Sequence, residues 1–442
     1  MARRGKQMEH SEKLACLESA KAGQTDAQIA QTTGWSVWTI RKWRRAYQKR
    51  GEVGLAPPMG RPKQGILGTY SADLRSEIEN MRKKHPGWGP ITLIEEMSLL
   101  PAWFGQVLPS RARVAAFLKE KQAVRYYERH AGVQKVSLPS PCAPHDQWEM
   151  DAQGRQKVQG LGWVKVVNIM DVVSRLKVAS CPRLCSAGLT WKDYQLILRW
   201  AFLQYGLPKQ ITLDHDSAFF DNTCLSPFPS RLHLWLIALG VGVRFIEKPP
   251  PIEHARIERH HQTMSAQAIT GQIWKSIDTL QAEMDRRREF LNQLYPSRAL
   301  LFQAPLEAYP HASHSGRDYR PEWEEELLDL EPVKALLATG KWFRETNRYG
   351  EIFVSMQRYN LSISWKNSTV ELTFNPNSQE LICHKLGSEQ FKQVAIKGLE
   401  KVDLMGELSP LSKMPAYQLA LPLSKEAWRL STLSRLRGGT TF

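Results

Sequence analysis

Three acidic residues stand where the chain could gather carboxylates. Asp151 ends the stretch Gln147-Trp148-Glu149-Met150, Asp214 ends Gln210-Ile211-Thr212-Leu213, and Glu258 lies within His254-Ala255-Arg256-Ile257-Glu258-Arg259-His260-His261. The first two stretches read as strands and the third as part of a helix. Carboxylate oxygens brought to one place hold hard divalent cations. A pair of such cations activates an oxygen nucleophile near neutral pH and stabilises both the attacking and the leaving oxygen of a phosphodiester displacement. Asp216 follows Asp214 by two positions and would share its side of a continuing strand, so it competes for the same role. His254, Glu258 and His261 share one helix face, which invites zinc, but no Cys or further His is placed to complete a tetrahedral set.

The elements that must position these acids follow from the surrounding pattern. Strands are expected at 147–151, Trp163 to Val172 and Leu176 to Ser180, then a helix from about Thr190 to Tyr205 and the strand ending at Asp214. A helix near Arg231 to Leu239, a strand from Val241 to Ile246 and a longer helix from about Glu253 close the set, in the order βββαβαβα. Asp171, at the end of the second strand, reads as a structural cap.

With these motifs in place the segment resembles the catalytic core of DDE-type transposases of the retroviral integrase superfamily, on the side of bacterial insertion-sequence or Mu-like transposases. Trp148-Glu149-Met150-Asp151 is similar to the family's W-x-x-D, Leu213-Asp214-His215-Asp216-Ser217-Ala218-Phe219 to T-D-N-G-x-x-F, and His254 to His261 to N-G-x-x-E-R-x-H. Asn292 to Glu307 resembles the segment that finishes such a core. The departures are His215-Asp216 and His254-Ala255 where the family has Asn-Gly.

The resemblance implies an α/β RNase H-like core at 143–310 with Asp151, Asp214 and Glu258 as catalytic residues and ligands of two Mg²⁺ ions, Mn²⁺ being a substitute. Asp151 would bridge both ions, with Asp214 completing one site and Glu258 the other. His261 would contact DNA or support the metal site. It further implies 3′-end cleavage and strand transfer on double-stranded DNA, element ends and target alike, by a homo-oligomer assembled on DNA. Some related transposases also require an AAA+ ATPase partner. The alternative from another class is a catalytically inactive, transposase-derived DNA-binding regulator.

The rest of the chain fits a multidomain protein. Its 442 residues exceed what one core organises, and its 60 Lys+Arg against 44 Asp+Glu give +16, a charge that draws a polyanion. No apolar run is long enough to span a membrane, and six scattered cysteines give no secretory pattern, so a cytoplasmic protein, nucleoid-associated when acting in a bacterium, is expected.

An all-α helix-turn-helix domain is expected at 1–55: a first helix near Lys13 to Ala22, Thr25 and Ser36 as N-caps, and Gly34 in the turn. Val37, Ile40, Trp43 or Arg44, and Tyr47 form the packing face of its last helix, and Arg41, Lys42, Arg45 and Lys49 the DNA face. Arg61 and Lys63 lie in a Gly- and Pro-rich linker suited to a minor groove. A second helical DNA-binding domain is expected at 69–130, presenting Arg111 and Arg113 together with Lys119 and Lys121.

After the core, a helix from Ile277 to Leu294 should expose Arg286, Arg287 and Arg288, and acidic residues from Glu322 to Glu331 should serve as a joint. Short strands at 340–405 suggest a small β-barrel, SH3-like by the same resemblance, offering Lys341, Arg344, Arg348, Arg358 and Lys366 to DNA. A basic tail occupies 406–442.

Overall fold

Thr25 and Ser36 cap the helices their positions mark. The computed structural model describes residues 8–55, 65–124, 141–185, 188–216, 218–219, 226–246, 255–355, 357–406 and 408. The chain divides into two compact units, 1–75 and 76–442.

In the first unit α1 (His10–Lys21), α2 (Asp26–Thr33) and α3 (Val37–Arg50) follow one another. Thr25 Oγ1 accepts from the Gln28 amide while the Gln28 side chain takes the Thr25 amide at 2.9 Å, a reciprocal capping box. Gly34 closes α2 at φ 74°, a left-handed turn that a β-carbon would resist. Ser36 Oγ then accepts the Thr39 amide at 3.1 Å and starts α3. Ile29, Trp35, Ile40, Trp43 and Leu55 pack together, so Trp43 is the packing residue. Arg44 instead turns to Asp26 on α2 and holds its carboxyl below the usual range, helped by Arg41 at 3.3 Å.

The second unit opens with α4 (Ala72–Lys84), α5 (Pro90–Leu99) and α6 (Arg111–Glu120). Its sheet comprises β1 (Gln147–Val158), β2 (Gly162–Asp171), β3 (Lys177–Leu184), β4 (Gln210–Leu213) and β5 (Gly242–Phe245), in the order β3-β2-β1-β4-β5. The first three strands form an antiparallel meander, and β4 and β5 join it parallel to β1. Helices α7 (Trp191–Tyr205), α8 (Arg231–Ala238), α9 (Ala255–Met264) and α10 (Ile277–Gln293) complete the set. Along β2, Val167 and Ile169 pack with Trp148 and the apolar side of α7, whereas Val164 and Val166 pack with Met264 and α10. Helices therefore cover both faces of the sheet. Asp171 does act as a cap: its carboxylate accepts the Ser174 amide and hydroxyl, each at 2.6 Å, and the His145 amide at 2.7 Å.

One expectation about charged residues fails. Arg287 and Arg288 are fully buried, and Arg286 alone of the three is exposed. Arg287 lies against the rings of Trp88 and Phe290 and pairs with Glu96 and Glu283; Arg288 donates to the Val178 carbonyl at 3.1 Å and lies over Trp200. The reason is that Arg288 faces the sheet at β3 and Arg287 faces Trp88 and Glu96 of the α4–α6 module, while Arg286 lies on the strip of α10 that solvent reaches.

The acidic joint lies between α10 and the C-terminal strands, and one of its carboxylates, Glu324, turns inward. After α11 (Pro305–Ala308) comes α12 (Glu324–Leu327), where the fully buried Glu324 carboxylate takes Arg199 Nε at 2.8 Å, Arg199 Nη2 at 2.6 Å, Trp235 Nε1 at 2.8 Å, and the Tyr319 hydroxyl. Beyond α13 (Glu331–Ala338) lie β6 (Trp342–Glu345), β7 (Glu351–Val354), β8 (Gln357–Asn360), β9 (Thr369–Asn375), β10 (Glu380–Lys385), β11 (Phe391–Ala395) and α14 (Lys401–Met405). These strands form a four-stranded sheet, β11-β10-β9-β6, and a separate β7-β8 hairpin.

Removing one partner of a buried ion pair strands the other charge. Glu324→Ala should therefore lower unfolding free energy by about 3–5 kcal/mol, read as a lower urea midpoint for the full chain. The apolar pair Arg199→Met with Glu324→Leu should recover most of that loss.

Candidate active site and nucleic-acid interface

β1 and β4 run parallel, with Gln147, Trp148 and Glu149 opposite Gln210, Ile211 and Thr212. Continued by two positions, that register sets Asp151 opposite Asp214, the residue just after β4 ends at Leu213. Trp148, Met150, Ile211 and Leu213 are buried on the α7 side, so alternation turns both acids to the α9 side. The line extends across the sheet: Asp151 is opposite Asn168 on β2, and Asn168 is opposite Ser180 on β3.

Helix α9 lays two histidines along that line. His261 Nε2 is 3.0 Å from Asp151 Oδ2, and Asn168 Nδ2 is 2.5 Å from His261 Nδ1. Ser180 Oγ is 2.6 Å from Asn168 Oδ1 and 3.2 Å from His260 Nε2. The direction of every bond follows from its carboxylate end. An ionised carboxylate only accepts, so His261 Nε2 donates to Asp151; Asn168 then donates to Nδ1, its carbonyl accepts from Ser180, and Ser180 accepts from His260. Asn168 and Ser180 are fully buried, and burial holds the His260 ring well below its ordinary pKa.

A second tether joins the first turn of α9 to β1, where Arg256 Nη1 lies 3.1 Å from Glu149 Oε1. Sequence reasoning missed Glu149, Arg256, Asn168 and Ser180. The one available signal was Asn168, a polar residue inside the apolar run Val166-Val167-Asn168-Ile169-Met170. Glu258 itself sits exposed on the flank of α9, one turn before His261. His254 lies outside the described residues.

Asp214 and Asp216 follow β4 in a tight turn. Asp214 Oδ1 accepts the Asp216 amide at 3.1 Å, and Asp216 Oδ1 accepts the Ala218 amide at 2.9 Å. Burial, and then the charges of Asp216, Asp214 and Asp151, push the Tyr194 hydroxyl far above its ordinary pKa. Three negative charges thus bear on one buried hydroxyl, and oxygen donors under mutual repulsion suit a hard divalent cation. Among the described residues, no group of three His, Cys, Asp or Glu side chains is already gathered in metal-binding geometry. The structure brings Asp151 and Asp214 into one register and leaves Glu258 to the side.

The expected DNA faces are exposed where described. On α3, Arg41, Lys42, Arg45 and Lys49 are all exposed, opposite the buried Ile40 and Trp43. On α6, Arg111, Arg113 and Lys119 are exposed, opposite Val114, Phe117 and Leu118; Lys121 pairs with Glu79 at 3.1 Å. Arg61, Lys63 and the tail from 409 onward lie outside the described residues. In the C-terminal strands Arg348, Arg358 and Lys366 are exposed, and Lys341 pairs with Glu371 at 2.9 Å. Arg344 is spent on structure, donating to the Ser226 carbonyl at 2.7 Å and the Phe353 carbonyl at 3.1 Å. Among the described residues, no helix is long and apolar enough to cross a membrane.

Comparison with solved structures gives a simian T-cell lymphotropic virus intasome in complex with the PP2A regulatory subunit B56 gamma. It is 10% identical, covers 73% of this chain and 96% of that one, and has a TM-score of 0.32, too loose a likeness to define a shared fold. Residues 8–56 match the family model of the homeodomain-like domain. The N-terminal unit therefore carries a homeodomain-like, helix-turn-helix DNA-binding domain, followed by mixed α/β structure.

Proposed function

We propose that this chain is a DDE-type DNA transposase whose 143–310 segment is an RNase H-like core and whose 340–405 strands are an SH3-like module. The observation that carries the reading is the parallel pairing of β1 with β4, whose register, continued past Thr212, sets Asp151 level with Asp214, together with the tie of the Glu258 helix to Asp151 through His261. Asp151 and Asp214, joined by Glu258 turning in from its exposed flank, are the residues that would hold two Mg²⁺ or Mn²⁺ ions. Bound there, the ions would activate the attacking oxygen and stabilise the leaving one.

The chain's own residues do the rest. α3 and α6 bring Arg and Lys side chains to the phosphates of element ends, Asp151 is kept in one orientation by His261, and Arg256 holds the start of α9 on β1. Assembly of several copies on DNA, with an AAA+ ATPase selecting the target, belongs to the same reading. The exposed position of Glu258 favours one second reading, a DNA-binding regulator that no longer cuts.

Incubated with cognate end DNA and Mg²⁺, the full chain should nick at the 3′ ends and join them to target. Asp151→Asn, Asp214→Asn and Glu258→Gln should each abolish both steps while end binding by gel shift persists. Asp216→Asn should keep them; loss with Asp216→Asn and retention with Asp214→Asn would exchange those two residues without changing the reaction class. A parent protein that binds ends yet never cuts would support the regulator.

The polar line behind Asp151 makes a separate demand. Residues that orient ligands typically change metal affinity by about 10–100-fold when removed. Asn168→Ala and His261→Ala should weaken Mn²⁺ binding by about that factor in calorimetric titration. An unchanged affinity in folded Asn168→Ala would reduce the line to a packing device.

A further inference from the structure

Trp38 is 72% exposed, the second residue of a helix that otherwise buries its large apolar side chains. Its place on the helix is specific. Arg41, Lys42, Arg45 and Lys49 follow it by three, four, seven and eleven positions, which on a 3.6-residue turn puts all five on one stripe with the indole within it. Ile40 and Trp43 point to the opposite side, into the core. Lys42 Nζ lies 5.8 Å from the Trp38 ring centroid, so the aromatic face and the cationic row form one continuous surface.

Packing within this unit does not ask for a tryptophan here. Trp35 and Trp43 already fill its core, and the indole of Trp38 joins the cationic row in one patch instead of standing alone. The basic stripe around it selects a polyanion, and in helix-turn-helix docking the first turn of the second helix is the part that reaches base edges. Long cations further along the helix position the protein on phosphates without reading sequence. An uncharged indole in the first turn releases no counterions, so it leaves the salt-dependent part of phosphate affinity to the cations, and its broad apolar face meets what the groove floor presents. In the major groove the one apolar group on a base edge is the thymine C5 methyl.

We propose that Trp38 is the specificity-determining residue of the N-terminal domain, its indole packing on a thymine methyl in the major groove while Arg41, Lys42, Arg45 and Lys49 grip the flanking phosphates. This deepens the proposed function and rests on its element that α3 enters DNA. It does not depend on the carboxylates or on any cut being made.

The test uses the full chain and a duplex site enriched from a random pool. Each thymine of that site is replaced in turn by uracil, which removes only the methyl. One position should lower wild-type affinity by about fourfold. Trp38→Ala should bind the thymine and uracil duplexes equally, with an unchanged dependence of affinity on salt because no charge is lost; Trp38→Phe should restore part of the discrimination. Lys42→Ala should do the opposite, weakening all duplexes alike and flattening the salt dependence. Being exposed, Trp38 can be replaced without a loss of helicity, which circular dichroism checks.

Equal loss on both duplexes in Trp38→Ala, or no loss at all, overturns the proposal. So does a change in self-association with site selection intact, which would assign the indole to a protein contact. If the wild-type chain enriches no site and binds no duplex, the reading of α3 as a DNA helix falls with it, an outcome distinct from failure of Trp38 alone.

Discussion

The line of polar groups that runs from the buried Ser180 and Asn168 to the half-buried Asp151 is the constraint on which the arrangement of the second unit turns. These residues sit side by side on three strands, and Asn168 lies within the apolar run of Val166, Val167, Ile169 and Met170 on β2. A buried hydrogen-bonding group left without a partner costs about 1–3 kcal/mol, so whatever covers this line must answer each member. His260 and His261 do so from consecutive positions on α9. Apolar packing alone tolerates a helix that slides by part of a turn; a line of directed hydrogen bonds does not. The position of Glu258, three residues before His261, is thereby tied to Asp151, Asn168 and Ser180 on the sheet.

The same helix carries that constraint to its other end. After Met264 it widens into a π-turn, Ser265–Ile269, a form that recurs beside functional sites because it shifts a helix without breaking it. Ser265 Oγ donates to Gln153 Oε1 at 3.1 Å, on β1. Gln267 Nε2 donates to Thr92 Oγ1 at 2.8 Å, and the Gln267 carbonyl accepts Trp88 Nε1 at 3.1 Å. Gly87 passes so close to the Ala266 carbonyl that a β-carbon would lie 1.8 Å from it. One continuous element thus touches Asp151 and grips the α4–α6 module. Displacement of that module, whose α6 faces outward with Arg111 and Arg113, would be felt at the acids through α9.

How much of this the sequence disclosed depended on the range of the interaction. The caps at Thr25 and Ser36, the turn at Gly34 and the strand-helix order around the acids are local, settled within a few residues, and were legible. Glu324 with Arg199, Trp88 with Gln267, and Asp151 with His261 join residues more than a hundred positions apart, and no local pattern marks them. Arg287 and Arg288 show the cost: a triple-arginine run has the texture of a solvated face, and only the two layers enclosing α10 reveal otherwise. Net charge misleads for the same reason. Internal pairs at Arg199, Arg287 and Arg288 each set a cation against a carboxylate and leave the +16 unchanged, so that number does not say which surface carries it; on α3 and α6 exposed cations stand along one face of each helix.

The placement of Asp151 and Asp214 also follows from unequal strand lengths. β1 runs for 12 residues and β4 for only 4, so β4 stops at Leu213 while β1 continues to Val158. Asp151 is thus mid-strand, held on one side by the full length of β2, and Asp214 is the first residue past the end of its own strand. The sheet narrows at that step from five strands towards three, and a ledge opens where β1 has lost its parallel neighbour. Groups at such a step are anchored by the sheet behind them yet reachable from the front. That asymmetry explains why Asp151 is tied into a buried network while Asp214 and Asp216 share a turn whose backbone amides they cap themselves. The two acids are therefore fixed by different means, Asp151 by hydrogen bonds from a helix laid across three strands and Asp214 by the turn whose amide it accepts, so a change in α9 bears on the first before the second.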